Sequence, residues 1–119
     1  MADAARPDDK PAATRVAVVQ HNAGTDVEQN LSTLETLSTQ AACEGAQLIT
    51  WAEAFAYLGR HDGKNEILEP LPGGGPILQR CQNLARSLSC DLLLGGFHEA
   101  MPGDTERCYN TSVYLNSSG

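Results

Sequence analysis

Glu53 is the residue of this sequence best placed for acid–base chemistry. It follows the apolar run Leu48-Ile49-Thr50-Trp51-Ala52 and precedes Ala54, Phe55, Ala56 and Tyr57. A short apolar run ahead of a helix-forming region reads as a buried strand. In α/β sheets, ligands bind beyond the carboxyl ends of the strands. A carboxylate there, with little polar company, suits taking and returning a proton near neutral pH. The alternative is an ordinary loop carboxylate after a strand, and these residues alone do not separate the two. Phe55 and Tyr57 just beyond it, with His98 after a later apolar run, are the candidates for a substrate pocket. His98 equally fits an ordinary histidine at a site edge.

The other chemically capable residues point to less. Cys43, Cys81, Cys90 and Cys108 form no C-x-x-C pair, and no histidine stands at ligand spacing from them, so no zinc site is expected. Without a secretory signal, disulfides are not expected either. Gly73-Gly74-Gly75-Pro76 could cradle a phosphate at a helix start. No Lys-Ser or Lys-Thr follows, so it is not a P-loop, and a turn with Pro76 in the first helical turn is the plainer reading.

The elements that must position these groups are legible from periodicity. Arg15–Gln20, rich in valine, reads as a first strand buried on both faces. The following turn, His21 to Thr25, lacks G-x-G-x-x-G, which disfavours a dinucleotide site. Thr25 or Asp26 can cap the next helix, and Glu28 stands three residues after Thr25, as in a capping box. Val27, Leu31, Leu34, Leu37 and Ala41 form its apolar stripe, and Gly45 is its stop. Gln47–Trp51 is the second strand, parallel to the first by a right-handed crossover. Residues 54–69 read as an irregular loop flanking the site. Ile77, Cys81, Leu84 and Leu88 mark one buried face of a second helix. Asp91–Phe97 is a third strand, and its Gly95-Gly96 pair suggests close approach of another backbone. Tyr109–Leu115, after the polar connector 101–107, is a fourth strand, antiparallel to the third because the connection is short.

Composition bounds the rest. The 119 residues suffice for one domain at most, 41% hydrophobic and 19% charged. A net charge of −7 argues against nucleic acid and anionic membrane surfaces as partners. No apolar run approaches a membrane span. Residues 1–14, MADAARPDDKPAAT, resemble neither a signal peptide nor an acid-poor presequence and read as a disordered tail, which makes the cytoplasm the expected compartment.

Four stretches in order resemble the N-terminal part of the nitrilase superfamily of carbon–nitrogen hydrolases, and within it the Nit branch, the deaminated-glutathione amidases. They are VAVVQ with TDVEQNL, then LITWAEAF, LLLGGFHE and CYNTSVYLNSSG. The resemblance covers Arg15 to Gly119 and makes 15–119 a hydrolase domain incomplete at its C-terminus. It implies an α/β fold, the N-terminal half of an α-β-β-α sandwich with a mixed sheet. It further implies a small-molecule amide substrate, homo-oligomers of the intact protein, no cofactor and no metal, with mitochondria as an alternative compartment for the intact family. The family's chemistry uses a cysteine nucleophile, a glutamate base and a lysine. Only the glutamate maps here, as Glu53, and the proline usual before it is Ala52. Lys10 and Lys64 do not match the family lysine, nor do the four cysteines match its nucleophile, because both fall beyond Gly119. The expected function is therefore the N-terminal part of an amidase, inactive alone. The alternative is a non-catalytic truncated isoform or interaction module that pairs with an intact homologue.

Overall fold

A computed structural model describes residues 13–119. The disordered-tail reading of 1–14 therefore falls almost wholly outside the described residues. The elements run β1 (Val16–Val19), α1 (Val27–Cys43), β2 (Leu48–Glu53), α2 (His61–Asn65), α3 (Pro76–Leu88), β3 (Asp91–Ala100) and β4 (Cys108–Leu115). They form an α/β structure whose four-stranded sheet has the order β1-β2-β3-β4. β1 pairs parallel with β2, and β2 parallel with β3. β3 pairs antiparallel with β4, so the sheet is mixed.

Both long helices start and stop as their sequences require. Asp26 caps α1 by accepting from Gln29 N at 3.0 Å, and Gly45 follows its end at φ 94°, where a side chain would be strained. The capping box expected from Thr25 and Glu28 does not form. Glu28 instead faces Ser32 and Arg80, because the ion pair with α3 competes for its carboxylate. Arg80 also bonds Glu35, which ties the outer surfaces of α1 and α3 together.

One face of the sheet meets the two helices. Leu31 and Leu34 of α1 and Ile77, Leu78, Cys81, Leu84 and Ala85 of α3 bury themselves against Ile49, Trp51, Leu92, Leu94 and Phe97. Burying each large side chain of this kind contributes about 1.5–3 kcal/mol. Three polar residues among those described are buried: Asn30, Ser38 and Glu69. Ser38 accepts a hydrogen bond from Trp51 Nε1 at 2.9 Å, and Asn30 is described with the site below. The opposite face differs from the expectation that β1 is buried on both sides. Val18 is 82% exposed and Val16 50%, because neither helix reaches that face.

Several boundaries also differ. β2 runs on to Glu53, which pairs with Gly96, so the acid ends the strand rather than following it. β3 continues through His98 and Glu99 to Ala100, because β4 supplies partners out to Cys108. The loop 54–69 contains α2, whose five residues are too few to show a helical stripe.

The glycine-rich turn before α3 is occupied by the protein's own anion. Glu69 is 6% exposed, and its carboxylate accepts from Ile77 N at 2.7 Å and Leu78 N at 2.9 Å. These are orphan donors at the positive end of the helix. A Cβ on Gly75 would lie 2.9 Å from Glu69 Cδ, so glycine is what lets the carboxylate reach the backbone. Pro76 sits in the first turn of α3, as expected.

Candidate active site

Glu53 stands at the carboxyl end of β2, exposed, with β3 as its neighbour. The chain turns sharply after it. Ala54 has φ 55°, an uncommon conformation for a residue with a side chain, and its N–H donates to Gly96 O at 3.2 Å. The backbone that aims Glu53 is thus held on its β3 side by pairing and by this bond, with Ala52 at the preceding position. The Glu53 carboxylate accepts from Asn110 Nδ2 of β4 at 2.7 Å. The apolar setting expected for it does not form among the described residues. Trp51 and Phe55 turn their rings into the core, and the contact made to the carboxylate is a polar one.

The pocket candidates separate. Phe55 is 1% exposed and packs its ring against Trp51 at 5.2 Å and Phe97 at 6.2 Å, so it belongs to the core. Tyr57 is also buried. Its hydroxyl donates to Arg60 O at 2.9 Å, and Gly59 and Gly63 leave room for its ring. His98 is half-buried on β3, paired with Asn110. Burial pushes its titration below the ordinary histidine value, Lys64 adds to that, and Glu53 pulls the other way. His98 is therefore neutral at neutral pH and available to donate or accept a hydrogen bond.

The segment after Glu53 is fixed from β1's side by residues that the sequence reading missed. Asn30, buried in α1, donates to Ala56 O and Gly24 O, both at 2.9 Å, and accepts from Gly24 N at 3.0 Å. His21 Nε2 donates to Phe55 O at 3.1 Å, and Leu58 N donates to Gly24 O at 2.9 Å. The turn after β1 and the turn after β2 are thereby clamped together beside the Glu53 strand end. The one signal for Asn30 in the sequence was a polar residue next to the apolar stripe at Leu31.

A parallel strand pair with a carboxylate at its end occurs in many folds, so the decisive observation is a family match over most of the chain. The model of the carbon–nitrogen hydrolase domain matches residues 15–119. The chain belongs to the carbon–nitrogen hydrolase family. It covers the N-terminal part of that domain. It is 39% identical over 107 residues to the human deaminated glutathione amidase, which covers 87% of this chain and 32% of the relative. The chain thus spans about a third of the length of that curated relative. Among solved structures it resembles the NitFhit protein of C. elegans, with a TM-score of 0.79 and 23% identity, covering 89% of this chain and 26% of that one. It also resembles Nit3 of Saccharomyces cerevisiae, a member of branch 10 of the nitrilase superfamily. That match has a TM-score of 0.77 and 25% identity, and covers 89% of this chain and 41% of the other.

Within this carbon–nitrogen hydrolase segment two of the four cysteines, Cys81 and Cys90, are buried. Cys81 is buried in α3, and burial together with the Glu69 and Glu35 carboxylates pushes its thiol up to about 12. A thiol so hard to ionise is a poor nucleophile. Cys90 is buried, donates to Ala46 O at 3.1 Å, and is also pushed up by burial. Cys43 is exposed at the end of α1, and Cys108 opens β4 opposite Ala100. Among the described residues no group of three or more His, Cys, Asp or Glu side chains gathers as metal ligands would.

Proposed function

We propose that this chain is the N-terminal part of an amidase that hydrolyses a small-molecule ω-amide of the deaminated-glutathione type, with Glu53 as its general base. The observation that carries the reading is the Glu53 carboxylate at the carboxyl end of β2, reachable from solvent and held by Asn110 at 2.7 Å. In this mechanism Glu53 takes the proton of a cysteine thiol supplied by the rest of the domain. The sulfur attacks the amide carbon, and a lysine, also from the rest of the domain, stabilises the tetrahedral oxyanion. Glu53 returns the proton to the departing nitrogen as the C–N bond breaks, leaving a thioester and ammonia. It then takes a proton from the water that attacks the thioester and returns it to the departing cysteine sulfur as the acid is released. His98, beside the carboxylate, lines the pocket.

The uncovered sheet face supports the fragment reading. Val16, Val18 and Tyr114 are each half or more exposed, and the second half of the sandwich is the natural cover for them. The intact protein assembles as a homo-oligomer in this reading, in the cytoplasm.

The test is ammonia release from a deaminated-glutathione ω-amide by the full-length protein that carries this segment. Glu53→Gln should lower kcat by roughly 10² to 10⁴, with the melting point unchanged, because the change is nearly isosteric. The 119-residue chain alone should release none. Wild-type turnover by a folded Glu53→Gln protein removes Glu53 from the mechanism. A folded full-length protein that turns over no amide removes the amidase reading.

A further inference from the structure

We propose that Asn110 is a positioning residue for the Glu53 carboxylate, fixing which of its two oxygens handles the proton. The inference rests on Glu53 being the general base. An ionised carboxylate offers two acceptor oxygens. Asn110 Nδ2 occupies Oε1 at 2.7 Å, which leaves Oε2 to face a reacting group. Glu53 is otherwise an exposed, flexible side chain at a strand end, so one bond from a sheet residue narrows its orientations considerably. The donor is a neutral amide. A lysine or arginine in its place would stabilise the carboxylate and weaken it as a base, whereas asparagine orients it without adding charge.

The sheet is built to make this contact. β3 carries a bulge between Leu94 and Phe97: Leu94 pairs with Val113, but Phe97 pairs with Thr111. Two residues of β3, Gly95 and Gly96, thus lie opposite Ser112 alone, whose hydroxyl donates to Gly95 O at 3.2 Å. In an unbroken ladder Asn110 would stand opposite Phe97, whose ring is in the core. The extra residue moves it opposite His98 instead, on the face it shares with that ring. Gly96 completes the arrangement. A Cβ there would lie 2.7 Å from Glu53 Cγ and 2.8 Å from Asn110 Oδ1, so only glycine lets the two side chains meet. The bulge, the glycine and the amide come from one short stretch of β3 and β4, and they converge on one carboxylate.

The experiment compares Asn110→Ala, Asn110→Asp and Glu53→Gln in the full-length protein. Asn110→Ala should lower kcat by about 10²-fold or somewhat less, as a misaimed catalytic group does. KM should stay within about twofold, since Asn110 is not assigned any substrate contact. Asn110→Asp sets a negative charge against the carboxylate, so the acid limb of the kcat/KM–pH profile should move to higher pH. In a Glu53→Gln background, Asn110→Ala should cost almost nothing further, because the two act as a unit. In the full-length protein, the Asn110 side-chain amide signals should shift when Glu53→Gln removes the carboxylate they bond. If Glu53→Gln is inactive while both Asn110 variants keep wild-type kcat and pH profile, Asn110 has no positioning role and Glu53 keeps its own. If Glu53→Gln stays active, both assignments fall. If Asn110→Ala unfolds, the Asn110→Asp profile and the response of the amide signals to Glu53→Gln decide.

Discussion

Glu69 should matter to the fold far more than its place in a glycine- and proline-rich turn suggests. Its carboxylate is nearly fully buried and accepts two backbone N–H bonds, at 2.7 and 2.9 Å, at the start of α3. Hydrogen bonds to a charged group contribute about 1.5–3 kcal/mol each. Part of that is spent on desolvating the carboxylate. Glu69→Ala leaves both N–H groups without a partner, at about 1–3 kcal/mol each, so a loss of about 2–6 kcal/mol is expected. Glu69→Gln keeps one acceptor and turns an amide N–H toward a backbone N–H. About 2 kcal/mol should go with it. For a domain of this size 1 kcal/mol corresponds to about 4–8 °C in Tm. The damage should spread beyond the helix, because Glu69 also joins β3 through its backbone: Ala100 N donates to Glu69 O at 2.8 Å. Urea unfolding followed by tryptophan fluorescence is the assay, since Trp51 lies in the core under α1. A Glu69→Gln protein as stable as wild type would refute the reasoning. It would mean that the first turn of α3 does not depend on an anion.

Two further expectations use other buried groups. His98 should titrate below 6.5, because burial and Lys64 both oppose its charge. A histidine lowered in the folded state costs stability on acidification, so this contribution is intact above 6.5 and is lost as pH falls from there toward the folded value. Imidazole signals in NMR should show the midpoint rising in Lys64→Ala and falling in Glu53→Gln; a wild-type midpoint at or above 6.5 would contradict the site geometry. Ser38→Ala should cost about 1–3 kcal/mol in urea unfolding, because it strands the buried indole N–H of Trp51. A change within about 0.5 kcal/mol would mean that the indole finds another partner.

The sequence by itself determined the elements with strong local periodicity. Ile77, Cys81 and Leu84 recur at helical spacing, and all three are buried in α3. The alternation of Val113 and Leu115 and the short 101–107 connector gave an antiparallel β4. The apolar run ahead of Glu53 located a strand whose end carries an acid, because a strand needs only its own residues to declare its period. The glycine pair at 95–96 announced a close approach, and the backbone and side chains of β2 do meet it there.

Tertiary structure decided what touches what. Asn110 lies 57 residues from Glu53 and meets it only because a bulge resets the register of β4. Asn30 looks like a helix-surface residue until the turns after β1 and β2 close over its amide. The glycine run at 73–75 reads as a turn that could cradle a phosphate, until Glu69, eight residues before Ile77, is seen to place its own carboxylate at the helix start. β1 is apolar on both faces, and which face is covered depends on where α1 and α3 dock, which no property of the strand itself encodes. Side-chain periodicity is a short-range signal, whereas a hydrogen bond between distant strands depends on register and on the path of every element between them.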